Sequence, residues 1–401
     1  MGVVAYDNMK PLWIVTELFY PEETATAYIL TKIANHLVGK LDVNVICGPA
    51  SYEGGARLCD RGGVDERVRV HRVSKTRFGK NGLVSRVLRF VGMTWRLVKE
   101  LKANLNEGDE ILVVTNPAPL LLAAAAIRRK RGNKLHLLVH DVFPENTIPA
   151  GIVKSENSLF YRLLKSRFDK AYSAADNLIV LGRDMKDVVC QKIGGDEGKV
   201  VVIENWADLD NIKPEQKGDD GKITLQYAGN LGRVQGLMEL LKCVNEASNL
   251  DLRIDFHGGG AVEGAMKDFV KDAGMANVSF YGTYSRDEQK RILNSCDIAV
   301  ITLAKGMYGL GVPSKTYNIL AAGKPILYIG DLRSEVAQMI KEYQIGFVFS
   351  PEDADGIVGF LKGISVDRKQ ELVLMGIKAR KLAETKYSEK VLLDRYLEVL
   401  G

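Results

Sequence analysis

A chain of 401 residues is too long for one ordinary hydrophobic core and fits two or three domains. Its 46% hydrophobic and 26% charged residues exclude a disordered or fibrous composition. The net charge of +5 is local: residues 1–205 carry +7, residues 206–401 carry −2, and Arg67 to Lys102 holds 11 basic residues against one acid, Glu100.

In chain order, short apolar runs alternate with amphipathic stretches. Strands are predicted at 12–16, 43–47, 111–115, 135–139 and 177–181, with helices at 24–38, 83–103, 120–131 and 159–175 between them. A second series has strands at 223–227, 252–257, 278–281, 298–303, 326–329 and 347–349, and helices at 237–246, 261–272, 286–295, 314–322 and 335–342. Continuous apolar strands between helices predict parallel sheets covered on both faces. The expected fold class is α/β, with two Rossmann-like doubly wound domains in tandem, 1–205 and 206–384, and a helix at about 385–401 packing back on the first. Asn, Asp, Pro and Gly accumulate at 205–220 and mark the join. Two such units facing each other leave a cleft lined by the carboxyl ends of their strands, where ligands bind.

Several classes are set aside. Cys47, Cys59, Cys190, Cys243 and Cys296 form no C-x-x-C pair, which argues against a disulfide framework and fits a cytoplasmic location. Residues 1–10 lack the basic start and apolar run of a signal peptide. The apolar run 111–127 is broken by Thr115, Asn116, Pro117 and Pro119, so it reads as strand, turn and helix rather than a membrane span. No His, Cys and carboxylate set has metal-ligand spacing, so no metal or other cofactor is expected. Asp208-Leu-Asp210 lies in the linker and is discarded as a metal motif.

The strongest local signal runs from Gly306 to Pro325. A glycine loop follows a strand and leads into a helix that Ser314 is expected to cap, with Lys315 in the first turn. The helix dipole disfavours a cation there, and a bound anion, a phosphate above all, removes the misfit. The plainer reading leaves Lys315 in solvent. Gly229 and Gly232 end another strand, and Arg233 is placed to reach a diphosphate at Ser314 and Lys315. His257-Gly-Gly-Gly260 lets backbone approach a ligand or simply turns tightly. His140, Asp141 and Glu145 follow a strand as acid–base or substrate-orienting groups. The loop 17–24, with Tyr20, Glu22 and Thr24, mixes aromatic and acidic groups as sugar-binding loops do.

The basic stretch includes a helix with Val84, Val87, Leu88, Val91, Trp95, Leu97 and Val98 mainly on one stripe and Arg86, Arg89, Arg96, Lys99 and Lys102 around it. An anionic membrane surface fits this pattern, and so does a core-packed helix with a solvated basic face. Motifs of nucleic-acid modules are missing.

These segments together resemble glycosyltransferase family 4, the retaining, metal-independent transferases of GT-B fold. The resemblance rests on Leu18-Phe-Tyr-Pro-Glu22, His140-Asp-Val-Phe-Pro-Glu145, Ala175-Asp-Asn-Leu-Ile-Val180, Val202-Ile-Glu-Asn205, Tyr281-Gly-Thr-Tyr284, Ser295-Cys-Asp297, Pro313-Ser-Lys315 and Ala322-Gly-Lys-Pro325. Pro-Ser-Lys and Gly229-Asn-Leu-Gly-Arg-Val-Gln-Gly236 look like a bacterial O-antigen or capsule subgroup that includes N-acetylfucosamine transferases. The resemblance implies transfer from a nucleotide-sugar donor, UDP-linked by expectation, to a polyprenyl-diphosphate-linked acceptor at the inner membrane face. It assigns donor contacts to Gly229, Asn230, Arg233, Gln235, Gly258, Thr283, Tyr284, Val312, Ser314, Lys315 and Asn318. His140, Asp141 and Glu145 become catalytic, and Tyr20, Glu22 and Thr24 lie on the acceptor side. Arg86, Arg89, Trp95 and Arg96 meet the membrane.

The chain departs from the family where a Glu-x7-Glu pair is usual: Leu310 and Asn318 stand there, which implies a less polar, deoxy donor sugar. Asn230 and Gln235 replace the usual diphosphate-clamping Arg and Lys, leaving that task to Lys315 and Arg233. The rival readings are a UDP-sugar 2-epimerase of the same fold and a non-catalytic sugar-nucleotide-binding subunit.

Overall fold

The computed structural model describes residues 9–22, 24–50, 63–75, 83–218 and 220–401, without the side chains of Leu83, Val84, Arg86 and Val87. The first half runs β1 (Pro11–Val15), α1 (Ala25–Leu37), β2 (Asp42–Cys47), β3 (Arg69–Arg72), α2 (Leu83–Asn104), β4 (Glu110–Val114), α3 (Pro119–Arg131), β5 (Lys134–Val139), α4 (Leu159–Ser173), β6 (Asn177–Val180), α5 (Arg183–Lys192) and β7 (Val200–Val202). The second runs β8 (Ile223–Ala228), α6 (Leu237–Ala247), β9 (Leu252–His257), α7 (Glu263–Asp272), β10 (Val278–Phe280), α8 (Gln289–Asn294), β11 (Ile298–Thr302), α9 (Lys315–Ala321), β12 (Ile326–Ile329), α10 (Glu335–Tyr343) and β13 (Gly346–Phe349). Helices α11 (Ala354–Gly363), α12 (Lys369–Thr385) and α13 (Glu389–Leu400) end the chain.

Among the described residues the strands form a seven-stranded sheet, β3-β2-β1-β4-β5-β6-β7, and a six-stranded sheet, β10-β9-β8-β11-β12-β13. Every pairing is parallel, and the order reverses between β1 and β4 and between β8 and β11. Burial on both faces follows from the period-2 geometry of strands. In β11, Ala299 and Ile301 join one core with α9 and α10, while Ile298 and Val300 join another with α6 and α11. The first of these cores continues through the N-terminal sheet, so the two halves share apolar packing.

Local chemistry sets the helix ends. Thr24 Oγ1 accepts from Ala27 N at 3.1 Å and opens α1, whose Ala27, Leu30, Ala34 and Leu37 face inward. Pro119 begins α3, and Gly132 in the left-handed region ends it. The last helix returns to the first half: Glu389 pairs with Lys32 at 3.0 Å, Asp394 with His36 at 3.0 Å, and Arg395 with Glu204 at 3.0 Å.

The basic helix α2 divides between core and solvent, with Leu88, Val91 and Trp95 exposed. Met93, Leu97 and Leu101 of α2 are buried in the core. Arg89 turns inward to pair with buried Glu17 at 3.0 Å, and Arg96 donates to the carbonyls of Ser74 and Lys75. Leaving the Glu17 carboxylate buried and unpaired would cost more than the solvation that the Arg89 guanidinium loses, whereas Arg96 meets the exposed Ser74 and Lys75 at the surface. Trp95 remains exposed, and the side chain of Arg86 lies outside the described residues. No helix among the described residues is long and apolar enough to cross a membrane.

Candidate functional site

A cavity of about 710 Å³ opens between the halves at the carboxyl ends of β5, β8 and β11. One wall is His140 and Asp141 after β5, with Tyr28 from the second turn of α1. The facing wall is Gly229 and Asn230 after β8, Leu303 after β11, and the loop Gly311 to Lys315. The walls touch directly, since Val142 N donates to Leu310 O at 3.0 Å. A Cβ on Gly311 would lie 3.3 Å from Asp141 Oδ1, so the loop approaches the β5 end closely.

Lys315 dominates the electrostatics. Its amine sits 3.6 Å from the centre of the Tyr227 ring, and among the described residues no carboxylate pairs with it. Burial pushes its pKa down to about 7. Backbone makes room for it: a Cβ on Gly229 (φ +147°) would lie 2.6 Å from Lys315 Nζ. Behind it, a Cβ on Gly258 (φ +137°) would lie 1.8 Å from Gly229 O. Gly258→Ala is therefore expected to destabilise the fold by ~2–4 kcal/mol, read as a lower denaturation midpoint, because both the φ and the space exclude a methyl. Gly258 backs the Gly229 turn and does not itself line the cavity.

Ser314 does not cap α9. Its backbone is already helical (φ −61°, ψ −25°), and its side chain makes no capping bond. Pro313 O instead accepts from Thr316 N at 3.1 Å and Thr316 Oγ1 at 2.8 Å, closing the turn without Ser314. The cation at this helix start is the Lys315 side chain, on the cavity wall.

His140 and Asp141 enter the cavity as a pair with opposite shifts. Burial pushes the imidazole down to about 4, so it is neutral near pH 7, and its Nε2 meets no hydrogen-bond partner. Asp141 keeps one face open to solvent, yet surrounding protein raises its pKa above the usual carboxylate value. Thr115 Oγ1 holds both backbones, accepting from His140 N at 3.1 Å and Asp141 N at 3.3 Å.

Asn230, Gln235, Tyr284, Val312 and Asn318 also line the cavity. Asn318 is tied in place, its Oδ1 accepting from Asp208 N at 3.1 Å and its Nδ2 donating to Gln289 Oε1 at 3.2 Å. Other sequence-derived assignments need correction. Glu145 faces away, bound to Lys192 at 2.8 Å and Lys165 at 2.9 Å; burial opposes its ionisation, but these lysines outweigh it and lower its pKa. It is a structural ion-pair partner.

Arg233 is exposed in a 3-10 turn and does not line the cavity, although Val234 and Gln235 of the same turn do. Thr283 is also exposed outside it. Thr24 is spent as the α1 cap, and Tyr20 accepts from Arg72 through its carbonyl. Glu22 is buried outside the cavity, its carboxyl pushed up to about 7 first by burial and then by the charge of Glu17.

The sequence reading missed Tyr28, Trp206, Arg286 and Gln289, which all line the cavity. Arg286 lies 3.5 Å over the Tyr28 ring and 3.5 Å from Asp208, and with Lys315 it supplies the basic charge of the wall. The signal was present: Tyr28 stands four residues after the Thr24 cap, and Arg286 just follows Tyr281-Gly-Thr-Tyr284. Residues at those offsets lie in the first turns after strands, on the cleft side.

Residues 27–211 match the family described as Glycosyltransferase Family 4, and residues 208–381 match Glycosyl transferases group 1. Probable glycosyltransferase WbjE of Pseudomonas aeruginosa is 35% identical over 80% of this chain and 81% of its own length. The chain belongs to glycosyltransferase family 4. A second relative in Escherichia coli K12, provisionally named the colanic acid biosynthesis glycosyl transferase WcaI, is 23% identical over 55% of this chain and 56% of its own. The crystal structure of Anabaena Alr3699/HepE in complex with UDP superposes with a TM-score of 0.67 at 14% identity, covering 98% of this chain and 99% of that one. The two-sheet architecture is thus the GT-B fold of family-4 transferases.

Proposed function

We propose that this family-4 enzyme transfers a sugar from a UDP-linked donor to a lipid-linked glycan in bacterial surface polysaccharide synthesis, with retention at the anomeric carbon and without a metal. The observation that carries this reading is Lys315, an enclosed cation without a carboxylate partner on the wall of a 710 Å³ cavity. Such a group stabilises a bound diphosphate and the charge that develops on it as the sugar–oxygen bond breaks. Arg286 adds a second cation. Neutral His140 is suited to hydrogen-bond a sugar hydroxyl, and Asp141 to orient one from the same wall.

UDP bound to Alr3699/HepE supports the nucleotide, and the name of WcaI supports the polysaccharide setting. Leu310, buried between the halves, offers the donor sugar no carboxylate, which favours a deoxy sugar. The test is a screen of UDP-, GDP- and dTDP-sugars with a polyprenyl-diphosphate-linked acceptor, with product anomers assigned by NMR in the presence of EDTA. Retained product from a UDP-sugar is expected. Conversion of donor without acceptor would instead identify an epimerase, and binding without turnover a non-catalytic subunit.

A further inference from the structure

We infer that the face with which this enzyme meets an anionic phospholipid bilayer is the start of α4 and the turn before it, rather than the basic helix α2. This rests on the lipid-linked acceptor proposed above. Ile152, Leu159, Phe160 and Leu163 are 67%, 82%, 67% and 55% exposed, an unusual grouping of large apolar side chains in water. At about 100° per residue, Leu159, Phe160 and Leu163 share one side of α4 with Arg167 and Lys170. The buried Tyr161, Phe168 and Tyr172 point roughly 150° away. The outer stripe is therefore apolar in its first turns and cationic farther along.

Charge selects the partner. Lys154, Arg162, Arg167 and Lys170 are exposed, and no carboxylate among the described residues pairs with them, while Glu156 is the one exposed acid nearby. Apolar side chains interleaved with unpaired cations suit a surface with acidic headgroups above hydrocarbon. A second copy of the same face would oppose like charges.

The ridge is also held in place. Ser158 Oγ accepts from Tyr161 N at 3.2 Å, and Thr147 O accepts from Ile152 N at 2.9 Å and Val153 N at 3.1 Å. It follows the cavity wall in sequence, and a Cβ on Gly306 would lie 3.9 Å from Pro149. Docking here sets headgroup-level acceptors beside His140 and Asp141. By contrast, α2 turns Arg89 inward to Glu17, and its Arg96 is engaged with the backbone of Ser74 and Lys75.

The test is sedimentation of the full chain with vesicles of phosphatidylcholine alone or with about 30% phosphatidylglycerol. Wild type is expected to sediment only with the anionic vesicles. Leu159→Ser with Phe160→Ser and Leu163→Ser, and separately Arg162→Glu with Arg167→Glu and Lys170→Glu, should each lower partitioning at least about tenfold. UDP affinity and thermal midpoint should stay unchanged in both. Val91→Ser with Trp95→Ser in α2 should leave partitioning within about twofold. Undiminished partitioning of both α4 variants overturns the assignment to α4 while leaving the membrane placement standing. Failure of wild type to sediment overturns both. A wild-type dimer that the serine variant dissolves would show that a second copy covers the ridge, and would also overturn it.

Discussion

Lys315→Met is expected to weaken UDP binding about 100-fold while raising thermal stability near neutral pH. The two effects share one cause. A charge-assisted contact to a diphosphate is worth ~2–3 kcal/mol, which accounts for the lost affinity. In the absence of anion the same amine is costly, since burial lowers it from 10.5 to about 7. A cation whose folded value lies below its unfolded value destabilises the fold fully below pH 7. That cost shrinks as pH rises toward 10.5 and vanishes above it. Methionine removes it, so the gain in thermal midpoint should be largest at pH 6–7 and absent near pH 10.5.

The wild type should show the complementary binding profile. UDP must find the amine protonated, so affinity should fall about tenfold per pH unit above 7. Calorimetry across pH 6.5–9 reads this slope, and the methionine variant should lack it. Equal slopes in both proteins would remove Lys315 from the diphosphate site.

His140→Ala and Asp141→Asn are expected to lower kcat about 100- to 1,000-fold while changing the dissociation constant for UDP less than about threefold. Both groups lie on the wall opposite Lys315, so they should serve the sugars rather than the nucleotide. Because the His140 imidazole is held at about 4, it stays neutral above pH 5.5 and should contribute no step to the rate profile near 6.5. Glu145→Gln serves as the contrast. It breaks the contacts with Lys192 and Lys165, so it should lower the thermal midpoint and leave kcat per folded molecule nearly unchanged.

Much of the scaffold was legible because local rules and the fold agree. The apolar runs at β4 and β5, the Thr24 cap and the Pro119 and Gly132 boundaries of α3 each combine propensity with period. The edge strands β3 and β7 escaped notice, since Arg69–Arg72 is mostly polar and Val200–Val202 is three residues long. In α12 the exposed Val373, Leu374 and Ile377 blur the helical stripe.

The sequence by itself determined two parallel α/β units, the family, the place of His140, Asp141 and Gly229 at strand ends, and that of Lys315 at a helix start. These depend on residues near one another in the chain and on where ligands must bind in such sheets. Only the tertiary structure decided which charges remain free. Glu145, Arg89 and Arg96 look equally available in sequence, yet each is taken by a partner: Lys192 lies 47 residues from Glu145, and Glu17 lies 72 from Arg89. Tyr28 and Arg286 meet across the cavity although 258 positions separate their numbers, because the two sheets face each other. Charge pairing across such separations follows from packing and leaves no local pattern.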